Sequence, residues 1–181
     1  MIEYEVYDWN SLINKEARSC LQSDIRLLID NGQYWKNSPR YQTDVNVFGL
    51  PGEHWVNIKM AFIWSCFAYI KSDVQIKGIK SWSYMTSLEY TVEDRDNLWH
   101  THERPGSRVV SGVYYLNVPK GVDEVTSGTE FSPNGPMAEE YRFFVPARTG
   151  CWAIWPGKSW HRPGILQSDE DRFIIAADME F

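Results

Sequence analysis

Four histidines occur in the 181-residue chain, and two of them are separated by a single residue in Trp99-His100-Thr101-His102-Glu103. Along an extended strand, residues i and i+2 project from the same face. His100 and His102 can therefore present two imidazoles to one point, and imidazole is a general ligand for zinc, copper, iron and nickel. A third histidine, His161, follows in Trp155-Pro-Gly-Lys-Ser-Trp-His161-Arg-Pro-Gly164, beyond several strand-like segments. Two close ligands and one remote ligand on a returning strand let a small β-barrel hold a metal while leaving coordination positions open. The expected metal ligands are His100, His102 and His161. A bare His-x-His pair also fits two ordinary strand histidines; the third histidine and the scarcity of histidine elsewhere favour the metal. Glu103 is the one acid beside the pair, but adjacent strand residues point to opposite faces. His54 reads as a capping or surface residue rather than a ligand.

The elements that must position these residues change character near residue 79. Before it, Ile2, Tyr4 and Val6 alternate with acids as a short strand. A helix is expected over 10–31, with Asp8 or Asn10 as N-cap, Leu12, Ile13, Ala17, Leu21 and Leu28 in one stripe, and Gly32 as its stop. A strand is expected at 45–48, and a second helix over 54–71 that is apolar widely enough to pack on a sheet. After it come short alternating segments at 82–91, 109–118, 129–132, 141–146, 151–155 and 172–180, separated by Gly, Pro and Asn turns. Helices followed by a run of strands indicate an α+β fold with a jelly-roll-like double sheet as its working half. Residues 1–181 read as one domain, with a helical support region at 1–78 and the jelly-roll core at 79–181.

Composition excludes several classes. The net charge is −6, which disfavours nucleic acid as a partner because phosphate binding needs a basic surface. No run approaches the roughly 18 apolar residues of a membrane span, and the acidic, alternating N-terminus does not read as a cleaved signal. Cys20, Cys66 and Cys151 are odd in number and widely spaced, which argues against a disulfide framework and for a cytoplasmic location. Aromatic residues make up 15% of the chain, which suits sheet faces and a walled pocket. Trp99, Trp152, Trp155 and Trp160 are candidates for that wall. Arg104, Arg108 and Arg162 lie near the histidines in sequence and are candidates to face an anionic or peptide substrate.

In order and spacing, His100-x-His102, Arg108-x-x-Ser111-Gly-Val-Tyr-Tyr115-Leu-Asn117, Gly128-Thr-Glu-Phe131, Pro156…His161 and Arg172 resemble the Fe(II)/2-oxoglutarate-dependent dioxygenases. The likeness covers roughly residues 82–181 and is greatest to the prolyl-hydroxylase-like group and its small bacterial and phage relatives. The resemblance implies a double-stranded β-helix core, with Fe(II), 2-oxoglutarate and O2 required. His100 and His161 would be iron ligands, Tyr115 would hydrogen-bond the distal carboxylate of 2-oxoglutarate, and Arg172 would form its salt bridge. Ser111, on the same strand face as Tyr115, would line the pocket. The implied reaction hydroxylates a small-molecule or peptide substrate, prolyl at the level of the family, and converts 2-oxoglutarate to succinate.

Two positions depart from the family's pattern. His102 stands where a carboxylate ligand is usual, giving three imidazoles in place of two imidazoles and an acid. Ile174 stands two residues after Arg172, where related sequences often carry Ser or Thr. Two other readings suit a histidine-bearing barrel: a cupin-like metal enzyme and a non-enzymatic binding module. The cupin reading lacks the acid expected about four residues after the second histidine, since positions 106 and 107 are Gly and Ser.

Overall fold

The computed structural model describes residues 2–35, 40–86, 98–136, 138 and 141–181. Chain order is β1 (Glu5–Asp8), α1 (Lys15–Asp30), β2 (Tyr34–Trp35), β3 (Arg40–Thr43), a 3-10 turn at Val47–Gly49, α2 (Glu53–Ile70) and β4 (Gly78–Thr86). Then follow β5 (Val109–Tyr115), β6 (Thr129–Phe131), β7 (Phe143–Val145), β8 (Cys151–Pro156), β9 (His161–Pro163) and β10 (Arg172–Glu180). The strands form a seven-stranded sheet in the order β1-β8-β5-β10-β4-β3-β2 and a three-stranded sheet in the order β7-β6-β9. All named pairings are antiparallel.

Strand periodicity divides the core into two layers. Phe173, Ile175, Ala177 and Met179 of β10, Val110 and Tyr114 of β5, and Trp152 and Ile154 of β8 join Leu21, Ile25, Trp55, Ile58 and Phe62 of the helices in one cluster. The alternate residues, Ile174 and Ala176, Val113 and Tyr115, Ala153 and Trp155, pack with Phe131 and Val145 of the small sheet in the other. A strand buried on both faces reads as a continuous apolar run, and β10 is one apart from Arg172, Asp178 and Glu180. Gly112 lets α2 approach: a Cβ there would lie 2.6 Å from Ile154 Cδ1 and 3.2 Å from Phe62 Cε2. The helices are tied together by Asp24, which accepts from Trp55 Nε1 at 2.8 Å and meets His54 Nε2 at 2.8 Å.

The N-terminal half differs from its sequence reading in three places. Helix α1 starts at Lys15, with Asn14 as N-cap accepting from the Ala17 amide at 2.9 Å, rather than at residue 10. Asp8 is used locally instead: its carboxylate accepts from the Asn10 amide at 2.8 Å, which holds the chain in a turn before the helix. The segment expected as a strand at 45–48 contributes a 3-10 turn. Strands β2 and β3 extend the large sheet beside β4, so residues 1–78 supply sheet as well as helix. The strand residues expected at 87–91 lie outside the described residues.

Candidate metal centre

His100 and His161 are cross-strand neighbours. Each donates its backbone N–H to the other's carbonyl at 3.1 Å, and the His102 amide donates to Gly157 O at 2.7 Å. This short segment thus runs against the turn between β8 and β9, and its i, i+2 geometry brings both side chains round to His161. Ring centroids are 4.3 Å apart for His100–His161, 5.0 Å for His100–His102 and 5.1 Å for His102–His161. One ring nitrogen of each lies within 4.8 Å of the other two. Glu103 is exposed and outside this group.

The partners of the three rings settle their tautomers. His100 Nδ1 is 2.7 Å from Leu98 O, and His161 Nδ1 is 2.9 Å from Ser159 O. Carbonyl oxygens only accept, so both Nδ1 atoms carry the proton and both Nε2 atoms keep a lone pair. His102 Nδ1 is 2.5 Å from Asp178 Oδ1, and this carboxylate oxygen likewise accepts a hydrogen bond from an Nδ1–H. Such partners on the far nitrogen of a histidine are the usual support of a metal ligand. Burial, and next the neighbouring His102, push the His100 pKa down from 6.5 to about 4. Burial, and next His100, hold His161 well below its ordinary value. Three imidazoles with Nδ1 engaged by the protein and the other nitrogen left over, two of them held neutral by burial, fit a metal ion.

The same cavity is lined by Tyr115, Arg172 and Ser111, the other residues singled out in the sequence. Arg172 is buried at 2% exposure and donates to the carbonyls of Ser127 and Gly164. Gly128 permits this crowding, since a Cβ there would stand 2.0 Å from Val145 O. The Tyr115 hydroxyl shares a 2.9 Å hydrogen bond with Thr129 Oγ1, and burial raises its pKa. Ser111, at the cavity wall, donates its hydroxyl to Asp178 Oδ1 at 2.7 Å and so braces that carboxylate. Ile174, two residues on from Arg172 along β10, also lines the cavity.

Other sequence candidates sit elsewhere. Trp155 does wall the cavity, with its ring 5.1 Å from that of His161. Trp152 faces the helices, because it falls on the opposite parity of β8. Trp99 covers the Arg162 guanidinium at 4.4 Å, and Trp160 is 36% exposed. The three arginines proposed for substrate have intramolecular roles. Arg104 pairs with Glu180 at 2.7 Å, Arg162 with the buried Glu130 at 2.8 Å, and Arg108 stacks on Phe181 at 5.0 Å. Two residues that sequence reasoning passed over belong to the site. Asp178 had a signal, an acid inside the apolar run of β10. Arg40 had none, yet β3 places it opposite Thr86, which is also the partner of Arg172. It lines the cavity with its guanidinium 4.4 Å above the Tyr84 ring.

No protein-family model and no curated protein matches the chain. Solved structures do. A prolyl-4-hydroxylase of Pseudomonas putida superposes with a TM-score of 0.67 at 12% identity, covering 99% of this chain and 92% of that one. The viral collagen prolyl hydroxylase of Paramecium bursaria Chlorella virus-1, solved with 2-oxoglutarate, gives 0.64 at 13% identity, covering 98% and 95%. The non-heme α-ketoglutarate-dependent epimerase SnoN of nogalamycin biosynthesis gives 0.69 at 12% identity, covering 98% and 76%. The chain shares their fold. It does so over nearly its whole length, including the N-terminal strands and helices outside the motif-bearing half.

Proposed function

We propose that this protein is an Fe(II)- and 2-oxoglutarate-dependent oxygenase of the prolyl-hydroxylase-like group, built on a double-stranded β-helix. The observation that carries the reading is the convergence of His100, His102 and His161, each with its Nδ1 proton engaged, in a cavity shared with Tyr115 and Arg172. When bound, iron, 2-oxoglutarate and O2 supply the oxidising chemistry, releasing succinate and hydroxylating a substrate C–H. His100, His102 and His161 would hold the metal through imidazole nitrogens, and three protein donors would leave positions for other ligands. Arg172 supplies a buried cation whose planar fork suits a carboxylate, and Tyr115 adds a hydroxyl at the same wall. The substrate is a small molecule or a peptide. The prolyl residue is the choice made by the neighbours' own substrates, as the names of two of them state.

Arg172→Ala tests the cosubstrate assignment by calorimetric titration of 2-oxoglutarate into protein loaded with Ni(II). Loss of a buried charge-assisted contact costs about 2–5 kcal/mol, so affinity should fall at least about thirtyfold while Ni(II) affinity is nearly unchanged. Unchanged 2-oxoglutarate affinity would remove Arg172 from the role.

A further inference from the structure

The residue that replaces the usual carboxylate ligand is itself bound to a carboxylate. His102 Nδ1 lies 2.5 Å from Asp178 Oδ1, shorter than the 2.7 and 2.9 Å contacts that His100 and His161 make to neutral carbonyls. Asp178 is 4% exposed, an acid placed in the most buried strand of the sheet. Burying an ionised carboxylate is costly unless partners offset it, and here the partners are arranged around one task. Ser111, its register neighbour on β5, donates to Oδ1 at 2.7 Å, and the Arg104 guanidinium stands 3.6 Å from Oδ2. Arg104 is in turn anchored to Glu180 at 2.7 Å, and Ser107 donates to the same carboxylate at 2.6 Å. His102 and Arg104 thus meet Asp178 and Glu180 two residues apart on both sides. The ligand-bearing segment is zipped to the end of β10 at His102.

We propose that Asp178 is the positioning residue of the metal centre and restores, one hydrogen bond away from the metal, the negative charge that His102 removes from the ligand set. Its carboxylate fixes the His102 ring with Nε2 facing the other two histidines. By drawing on the Nδ1 proton it gives the imidazole part of the donor strength of an anion. The inference rests on the three-histidine reading of the site, and it assigns a function to a buried acid that the three ligands, Tyr115 and Arg172 leave unexplained.

The test is a double-mutant cycle read by Co(II) binding to the full chain, followed by the visible d–d absorption, with thermal melting of each metal-free variant as the folding control. Asp178→Asn keeps the shape and removes the charge. In the native background it should weaken Co(II) by about 10–100-fold, the range for loss of a partner to a ligand histidine. His102→Asp puts the carboxylate back in direct contact with the metal. In that background no ligand ring is left for Asp178 to hold and the ligand set already carries the charge, so Asp178→Asn should weaken Co(II) binding far less than it does in the native background. A purely structural Asp178 would weaken binding equally in both backgrounds, and either that result or no effect in either overturns the inference. A second measurement needs no substitution. In the Zn(II)-loaded native protein the His102 Nδ1 proton should resonate well downfield of those of His100 and His161, and three alike overturn the inference. Absence of any Co(II) binding by the native chain would overturn the metal reading itself, an outcome distinct from these.

Discussion

Each histidine in the candidate centre has one nitrogen committed to the protein and one kept for a ligand, and burial keeps at least two of the rings neutral. That has a pH consequence. In the unfolded chain position 100 takes a proton near its ordinary 6.5; in the folded, metal-free protein it does so only near 4. Between those values the unfolded state binds more protons, so stability rises with pH. His161 shifts in the same direction. The metal-free protein should lose stability as pH falls from 6.5 toward 4, and a bound metal should offset the loss. Urea melts across that window check it, and a midpoint that is flat or rises on acidification contradicts it. The third ligand position is tested by substitution. His102→Ala removes one of three donors and should abolish tight Fe(II) binding, whereas Glu103→Ala should leave it within about twofold, since surface changes are usually small. Equilibrium dialysis with Fe(II) under anaerobic conditions separates the two. A dependence on Glu103 would mean that the acid is turned inward by a bulge.

The strands that carry these residues were legible wherever alternation or an apolar run marked them. Val109–Tyr115, Cys151–Pro156 and Arg172–Glu180 fall where the pattern places them, and with them the facing of Tyr115, Ser111 and Arg172. Other elements left little trace. Strand β3, Arg-Tyr-Gln-Thr, is short, polar and held mainly by β4, so neither composition nor period betrays it or Arg40. Strand β9 is three residues long and contains a proline. The start of α1 was misplaced because Asp8 can cap a helix or close a turn, and only the contacts around Asn10 decide between them. Asp178 was visible as an acid in an apolar strand, but its purpose required knowing that β10 and the His100–Arg104 segment meet. The packing of α2 on the large sheet gives a test at this level. Gly112→Ala would place a methyl 2.6 Å from Ile154 Cδ1 and 3.1 Å from Ala153 O. Overpacking of this kind costs about 1–3 kcal/mol, so the denaturation midpoint should drop without loss of metal binding. An unchanged midpoint would show that Ile154 and Phe62 have room to give way around β5.

Taken whole, the molecule is two antiparallel sheets with helices covering the larger one, and the histidines sit where the small sheet's edge meets the large sheet. Among the described residues no helix is long and apolar enough to cross a membrane, and Cys20, Cys66 and Cys151 are free thiols. The fold is shared with enzymes named for, or solved with, 2-oxoglutarate at 10–13% identity. At that distance the fold is common ground and the chemistry must come from the site. In the proposed function His100, His102, His161, Tyr115 and Arg172 would supply it, and the five line one cavity. The central claim, that this cavity holds iron and 2-oxoglutarate together, is tested most directly by anaerobic titration of the Fe(II)-loaded protein with 2-oxoglutarate under visible spectroscopy. A charge-transfer band that grows to saturation at one equivalent, and is weakened by Arg172→Ala, is the predicted result. Fe(II) binding without any such band, as a cupin-like or purely structural metal centre would give, would contradict it.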